Sequence, residues 1–346
     1  MRAVGYRTPG PIDASESLQD IELPRPEPGP RDLLVEVRAV SVNPVDTKVR
    51  RRAGADPGGW KVLGWDAAGV VVAAGAEVSR FRVGDEVFYA GDLNRQGTNA
   101  EYHAVDARIV GRKPSTLGFA EAAALPLTAI TAWEALFDRL DVRRAVPGAA
   151  PAVLVIGGAG GVGSIAVQLI RRLTDLTVIA TASRPETLQW VRDLGAHHVV
   201  NHARPLADEV AALGLGAPAF VFSTTATDRH LSAIADLIAP QGRWALIDDP
   251  GVVDVAPFKR KSVSTHWEFM FTRPVFDTAD VAAQGTLLDE VSRLVDARVL
   301  KTTLGEHFGA INAANLRRAH ALIERGAARG KVVLEGFGNP TLTSCR

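Results

Sequence analysis

The chain has 346 residues, enough for about two domains whose cores close without disulfides. Its composition, 47% hydrophobic and 23% charged, is that of a folded globular protein and excludes disordered or collagen-like structure. Lys plus Arg and Asp plus Glu both total 39, and this balance argues against a nucleic-acid or anionic-membrane partner, which would demand a basic excess. The single cysteine, Cys345, can form neither an intrachain disulfide nor a pair of zinc thiolates, which fits a reducing compartment. Residues 1–20 carry Arg2, Asp13, Glu16 and Asp20 without the apolar stretch of a signal peptide. A soluble, cytoplasmic protein is expected.

In chain order, a strand is predicted at Arg2–Tyr6, and prolines at 24, 26, 28 and 30 then hold the chain extended. Leu33–Val42 alternates, with Val35, Val37 and Ala39 on one face and Glu36 and Arg38 on the other. Short runs at Gly69–Ala73 and Val83–Tyr89 follow, so the first third reads as a compact, irregular barrel. Helices are predicted at Ala120–Leu125 and Thr128–Phe137, with Pro126 tolerated in a first turn. From residue 152 strands and helices alternate, with strands at Ala152–Gly157, Thr177–Thr181, His198–Asn201, Ala219–Ser223 and Trp244–Asp248. That is the pattern of a doubly wound parallel sheet. The tail predicts helices at Val281–Val295 and Asn312–Arg325 and a strand at Lys331–Leu334.

The sharpest motif is G-x-G-x-x-G at Gly158, Gly160 and Gly163, running through Ala159, Gly161 and Val162. It follows an apolar strand and opens a helix whose stripe is Val162, Ile165, Ala166, Leu169, Ile170 and Leu173. Missing side chains let a backbone approach a pyrophosphate, and a helix N-terminus offers unpaired N–H groups. An NAD site needs an acid about 20 residues past the loop, at the end of the next strand. Here that end reads Thr181-Ala182-Ser183-Arg184, so Ser183 and Arg184 point to a 2′-phosphate and to NADPH. Asn201, at the end of the third strand, is a further candidate cofactor contact. His197, His198 and His202 form the local histidine cluster, and no metal site is expected there.

Six pieces in order resemble the medium-chain dehydrogenase/reductase superfamily along nearly the whole chain. They are Val42-Asn43-Pro44-Val45-Asp46, Leu63-Gly64-Trp65-Asp66-Ala67-Ala68-Gly69, Val83-Gly84-Asp85-Glu86-Val87, Ala124-Leu125-Pro126-Leu127-Thr128, the glycine loop and Gly330-Lys331-Val332. More narrowly, the chain is similar to the quinone oxidoreductase branch and to zinc-type alcohol dehydrogenase-like proteins. The resemblance implies an α/β protein with a GroES-like, β-rich catalytic domain over 1–126 and 267–346 and a Rossmann domain over 127–266. Zinc-dependent members place a cysteine where this chain has Asn43 and Gly-His-Glu where it has Gly64-Trp65-Asp66. An amide and an indole are not ordinary zinc ligands, so no metal is expected.

Without a Lewis acid, oxidising a simple alcohol lacks its activating group, whereas reducing a quinone or an α,β-unsaturated carbonyl needs less help. Asn43, Thr128 and Tyr89 are the candidate donors to a developing oxyanion, and Tyr89 is either a proton donor or a packing residue. Asp46 would organise the Asn43 loop, and Trp65 would form an apolar wall. Lys331 either reaches a cofactor phosphate or ends an exposed turn. For the aromatic segment His266–Arg273 the resemblance implies a substrate cleft near the contact of a homodimer, and its composition fits a buried seam equally well. The expectation is therefore an NADPH-dependent reductase of a small-molecule acceptor. A zinc-type alcohol dehydrogenase and a non-catalytic NADPH-binding structural or sensor protein are the alternatives.

Overall fold

The strand Asp32–Val42 is the hub of the first part of the chain in this computed structural model, which describes residues 1–338 and leaves Cys345 outside the described residues. Its length lets it pair antiparallel with three others: Lys331–Glu335, Ala67–Ala74 and Tyr102–Asp106. Leu304–His307 extends this sheet beyond Lys331–Glu335, while Glu86–Tyr89 and Gly111–Arg112 extend it beyond Ala67–Ala74. The expected alternation is visible where it matters, with Val35, Val37 and Ala39 buried and Arg38 exposed. A smaller sheet joins Gln19–Glu22, Arg2–Tyr6 and Lys61–Val62. The run expected from Val83 begins pairing only at Glu86, because Gly84 (φ +95°) makes a turn and leaves Val83 65% exposed.

The second sheet has six parallel strands. Across the sheet they are ordered His198–Val200, Thr177–Thr181, Ala150–Ile156, Pro218–Ser223, Arg243–Leu246 and Ser264–Trp267. Counted from Ala150–Ile156 the order is 3-2-1-4-5-6, the doubly wound arrangement of a Rossmann domain. Ser264–Trp267 is a strand that the aromatic segment concealed, and it forms one edge of the sheet. The predicted helix at 128–137 starts at Pro126 and turns π-helical over Glu134–Arg139.

The chain forms two compact units, one of Met1–Leu127, Phe271–Arg298 and the chain from Leu304, the other of Thr128–Met270 and Val299–Thr303. The short excursion 299–303 has a visible cause. On the helix Gly161–Leu173, Gln168 donates to the Lys301 carbonyl at 3.2 Å and accepts from the Lys301 N–H at 2.8 Å. This amide clasp buries the polar side of a helix whose residues from Gly163 to Ile170 are all buried.

Candidate functional site

The strand Ala150–Ile156 ends in Gly157, whose φ of +81° starts the glycine loop. Gly157 N–H donates to Thr181 Oγ1 at 3.0 Å and Gly158 N–H to the Thr181 carbonyl at 3.1 Å, so the loop is tied to the end of the neighbouring strand. The glycines do different work. A Cβ on Gly163 would stand 2.2 Å from the Gly157 oxygen, so that position must stay bare for helix and strand to touch. A Cβ on Gly160 would meet nothing nearer than 3.5 Å, so packing does not require that position to stay bare. Gly160 is the N-cap of the helix, with no side-chain cap and no acidic residue in the first turn. Uncapped amides beside an open glycine fit a dinucleotide pyrophosphate.

At the ribose end, Ser183 and Arg184 follow the strand Thr177–Thr181 with no carboxylate among them. Arg184 Nε lies 3.2 Å from Glu186 Oε1, a pair exposed on both sides and therefore weak enough for a bound phosphate to compete with. Asn201 follows the strand His198–Val200. Its Oδ1 accepts the Ala203 N–H at 2.9 Å, so the side chain closes a turn. The residue that reaches the loop is its neighbour: His202 Nδ1 lies 3.0 Å from Thr181 Oγ1.

In the first unit, Asn43 caps the helix Pro44–Arg52, and its N–H donates to Asp46 Oδ2 at 2.7 Å. The Asn43 amide is engaged at both ends. Nδ2 donates to Asp66 Oδ2 at 2.8 Å, and Oδ1 accepts from Lys331 Nζ at 2.7 Å. Lys331 Nζ also donates to the Val42 carbonyl at 3.0 Å and stands 3.2 Å from Asp66 Oδ2. Asp66 Oδ1 accepts the Leu127 N–H at 2.8 Å. Every neighbour of the Asp66 carboxyl is a donor and every neighbour of Lys331 Nζ is an acceptor, so the pair is carboxylate and ammonium. Burial pushes the Asp66 carboxyl up and the Lys331 ammonium down, and the attraction between them opposes both shifts. Burial also pushes Asp46 up, to about 7, against the Asn43 hydrogen bond and the Lys331 charge.

Several expected roles are corrected by this geometry. Lys331 is 3% exposed with all three donors spent within its own unit, so it neither reaches a cofactor phosphate nor ends an exposed turn. Asn43 is 1% exposed, and its second amide hydrogen faces the Ser41 oxygen at 3.4 Å, which leaves no donor for an oxyanion. Tyr89 is fully buried and stacks on His103 at 5.5 Å. His103 Nε2 lies 2.9 Å from the Gln96 carbonyl, which only accepts, so Nδ1 is the acceptor for the Tyr89 hydroxyl at 3.2 Å. Burial drives the Tyr89 hydroxyl upward and His103 down to about 4, and the pair packs as a neutral unit. Trp65 is 2% exposed, donates to the Asp92 carbonyl at 3.2 Å and meets Phe271 edge-on at 6.3 Å. Thr128 is buried in the helix Pro126–Trp133 and belongs to the second unit.

Residues 29–133 match the alcohol dehydrogenase GroES-like domain family, and residues 194–334 match the zinc-binding dehydrogenase family. A zinc-type alcohol dehydrogenase-like protein of Staphylococcus aureus strain MSSA476 is 37% identical over 339 residues, covering 96% of this chain and 99% of its own. The chain belongs to the medium-chain dehydrogenase/reductase superfamily. A solved structure from Rhizobium etli CFN 42, provisionally described as a zinc-dependent alcohol dehydrogenase, is 68% identical. It covers 98% of this chain and 99% of its own, with a TM-score of 0.97. The quinone oxidoreductase of Coxiella burnetii is 25% identical, with a TM-score of 0.77 over 97% of this chain and 99% of its own. The superfamily fold agrees with both sheets described above.

Zinc, which the family descriptions imply, takes thiolate, imidazole or carboxylate ligands. Asn43 presents an amide oxygen already held by an ammonium, and the Trp65 indole is a donor that cannot ligate. Among the described residues, no group of three or more His, Cys, Asp or Glu side chains could hold a metal ion. These residues do not fit zinc.

Sequence reasoning missed Asp66 as a site residue, although it stood inside a quoted motif, because its partners arrive from residues 43, 127 and 331. It also missed the buried pair Glu134 and Glu268. Burial and the neighbouring Glu134 push Glu268 up to about 9, and Arg139 holds its Oε2 at 2.9 Å. Nothing in the local sequence marks that pair.

Asp46 generates a prediction. Its carboxyl binds a proton more tightly folded (about 7) than at its ordinary value of 3.8. Stability from this group is therefore full below about pH 4 and is lost as pH rises toward 7, by on the order of a few kcal/mol. Asp46→Asn keeps an acceptor for the Asn43 N–H and should flatten this decline. Denaturant midpoints at pH 5 and pH 8 check it, and an unchanged difference between wild type and variant would refute the assignment.

Proposed function

We propose that this chain is an NADPH-dependent oxidoreductase of the cytoplasm that transfers hydride to a quinone or an α,β-unsaturated carbonyl without zinc. The observation that carries the reading is the amide–carboxylate–ammonium network of Asn43, Asp66 and Lys331, whose donors are already consumed. A superfamily member with that network lacks the Lewis acid that lowers the pKa of an alcohol, so a conjugated electrophile is the substrate class it can serve. The likeness to a quinone oxidoreductase supports the same class. When bound, the dinucleotide supplies the hydride. The chain's own part is to seat the pyrophosphate on the Gly160–Val162 amides and to meet the 2′-phosphate with Ser183 and Arg184. Orientation of this kind contributes a large share of the barrier reduction in bimolecular reactions.

The competing reading, a zinc-type alcohol dehydrogenase, takes its support from the names of the relatives. An acceptor panel separates the two. NADPH consumption with small quinones and enones should survive a strong chelator, and ethanol-like alcohols should not be oxidised at a useful rate. Alcohol oxidation by protein carrying about one zinc per chain would reverse the assignment. Binding of NADPH with no turnover of any acceptor would favour the structural or sensor alternative.

Cofactor choice gives a second expectation. NADPH should bind at least about tenfold tighter than NADH, a difference that one charge-assisted phosphate contact supplies. Arg184→Ala should erase most of this preference while leaving NADH affinity nearly unchanged, as read by titration of nucleotide fluorescence. Equal affinities in the wild type would remove the basis for NADPH.

We also infer a homodimer joined through the segment 262–271. Ser264–Trp267 pairs on one side with Arg243–Leu246 and ends the sheet, while Trp267 (56%) and Phe269 (49%) expose large apolar faces. Pairing this edge with its symmetry mate would cover both the open backbone and the aromatics. Light scattering at micromolar concentration should report twice 36.8 kDa, and a monomer mass would exclude this interface.

A further inference from the structure

Three oxygens converge on one point in the first unit: the Val42 carbonyl at 3.0 Å, Asn43 Oδ1 at 2.7 Å and Asp66 Oδ2 at 3.2 Å from Lys331 Nζ. The four residues come from three separate parts of the chain, and Val42, Asn43, Asp66 and Lys331 are at most 3% exposed. A carbonyl, an amide oxygen and a carboxylate form the donor set of a hard cation. A second carboxylate, Asp46, acts on the same ammonium through space. Buried oxygens of this number and charge need a positive centre, and water is excluded from supplying one.

We propose that the Lys331 ammonium is the resident cation of this pocket, a tethered side-chain charge standing where a divalent metal ion would otherwise bind. It neutralises Asp66, aligns the Asn43 amide and closes the pocket to metal. The donor chemistry adds a direction. With the ammonium removed, the oxygens select a hard ion such as Mn²⁺, not the thiolate- and imidazole-preferring sites of structural zinc.

This rests on the zinc-free reading above but is read out by metal binding rather than by turnover, so a failure confined to the Lys331→Ala variant leaves the choice of acceptor untouched. The test titrates MnCl₂ into the full-length wild type and the Lys331→Ala variant, following free Mn²⁺ by electron paramagnetic resonance and folding by thermal melts. Wild type should bind no Mn²⁺ or Zn²⁺ at this pocket. Lys331→Ala should bind about one Mn²⁺ per chain, at least about tenfold tighter than wild type, with a melting temperature that rises with Mn²⁺. Adding Asp66→Asn to Lys331→Ala should abolish that binding, and Lys331→Arg, which keeps a cation, should bind none. If Lys331→Ala folds only when a divalent ion is present, the proposal is equally supported.

Three results overturn it. The first is wild-type protein that retains a stoichiometric metal lost on Asp66→Asn. The second is folded Lys331→Ala that binds no ion. The third is a Lys331→Ala chain that no divalent ion brings back to a cooperative melt.

Discussion

A buried lysine–aspartate pair in the first unit constrains everything around it. Two charges withdrawn from water are tolerated only when each is fully hydrogen-bonded, and removing one partner of such a pair costs about 3–5 kcal/mol. Lys331, Asn43 and Asp66 meet because three strands lie side by side. Val332 stands opposite Val42 and Ala67 opposite Val40, so the three polar residues fall at the same end of the sheet. A one-residue slip of any strand would turn its side chain to the opposite face and leave a charge unpaired. The network therefore specifies register as much as it serves chemistry. It also joins the tail of the chain to its beginning, since Lys331 lies 288 residues from Asn43.

The second unit works by a different economy. Its glycine loop is held by one bond to the Thr181 hydroxyl, one to the Thr181 carbonyl and by the absence of side chains. Gly163 is bare because the fold demands it, and Gly160 is bare although the fold does not. That contrast separates a glycine that packing requires from one that it does not. Thr181 links the two halves of the nucleotide face, accepting from Gly157 while contacting His202. A single hydroxyl thus couples the glycine turn to the end of the strand Thr177–Thr181 and to the segment after His198–Val200.

Legibility followed the range of the interactions. The strand Thr177–Thr181, the glycine loop and the helix behind it obey local periodicity and capping, and they were readable at nearly residue precision. The edge strand Ser264–Trp267 was not, because alternating aromatics mark an interface and a strand equally well. By residue type, Asn43 can serve as an oxyanion donor, Tyr89 as a proton donor or a packing residue, and Lys331 as a phosphate contact or the end of an exposed turn. In the structure their donors are already committed to Asp66, to His103 and to the Val42 and Asn43 oxygens. Residue type states a capacity, and partners decide whether that capacity is available.

The sequence by itself determined the superfamily, the two sheet types and the place of the dinucleotide loop, because each rests on patterns contained within a few turns or strands. It also showed that the usual zinc ligands are replaced at Asn43 and Trp65. It could not show what Asn43 and Asp66 bind, since the Lys331 ammonium comes from the far end of the chain and arrives only through strand pairing. Tertiary structure decided which polar groups are spent and which remain open, because hydrogen-bond satisfaction in a buried site depends on neighbours in space rather than in sequence.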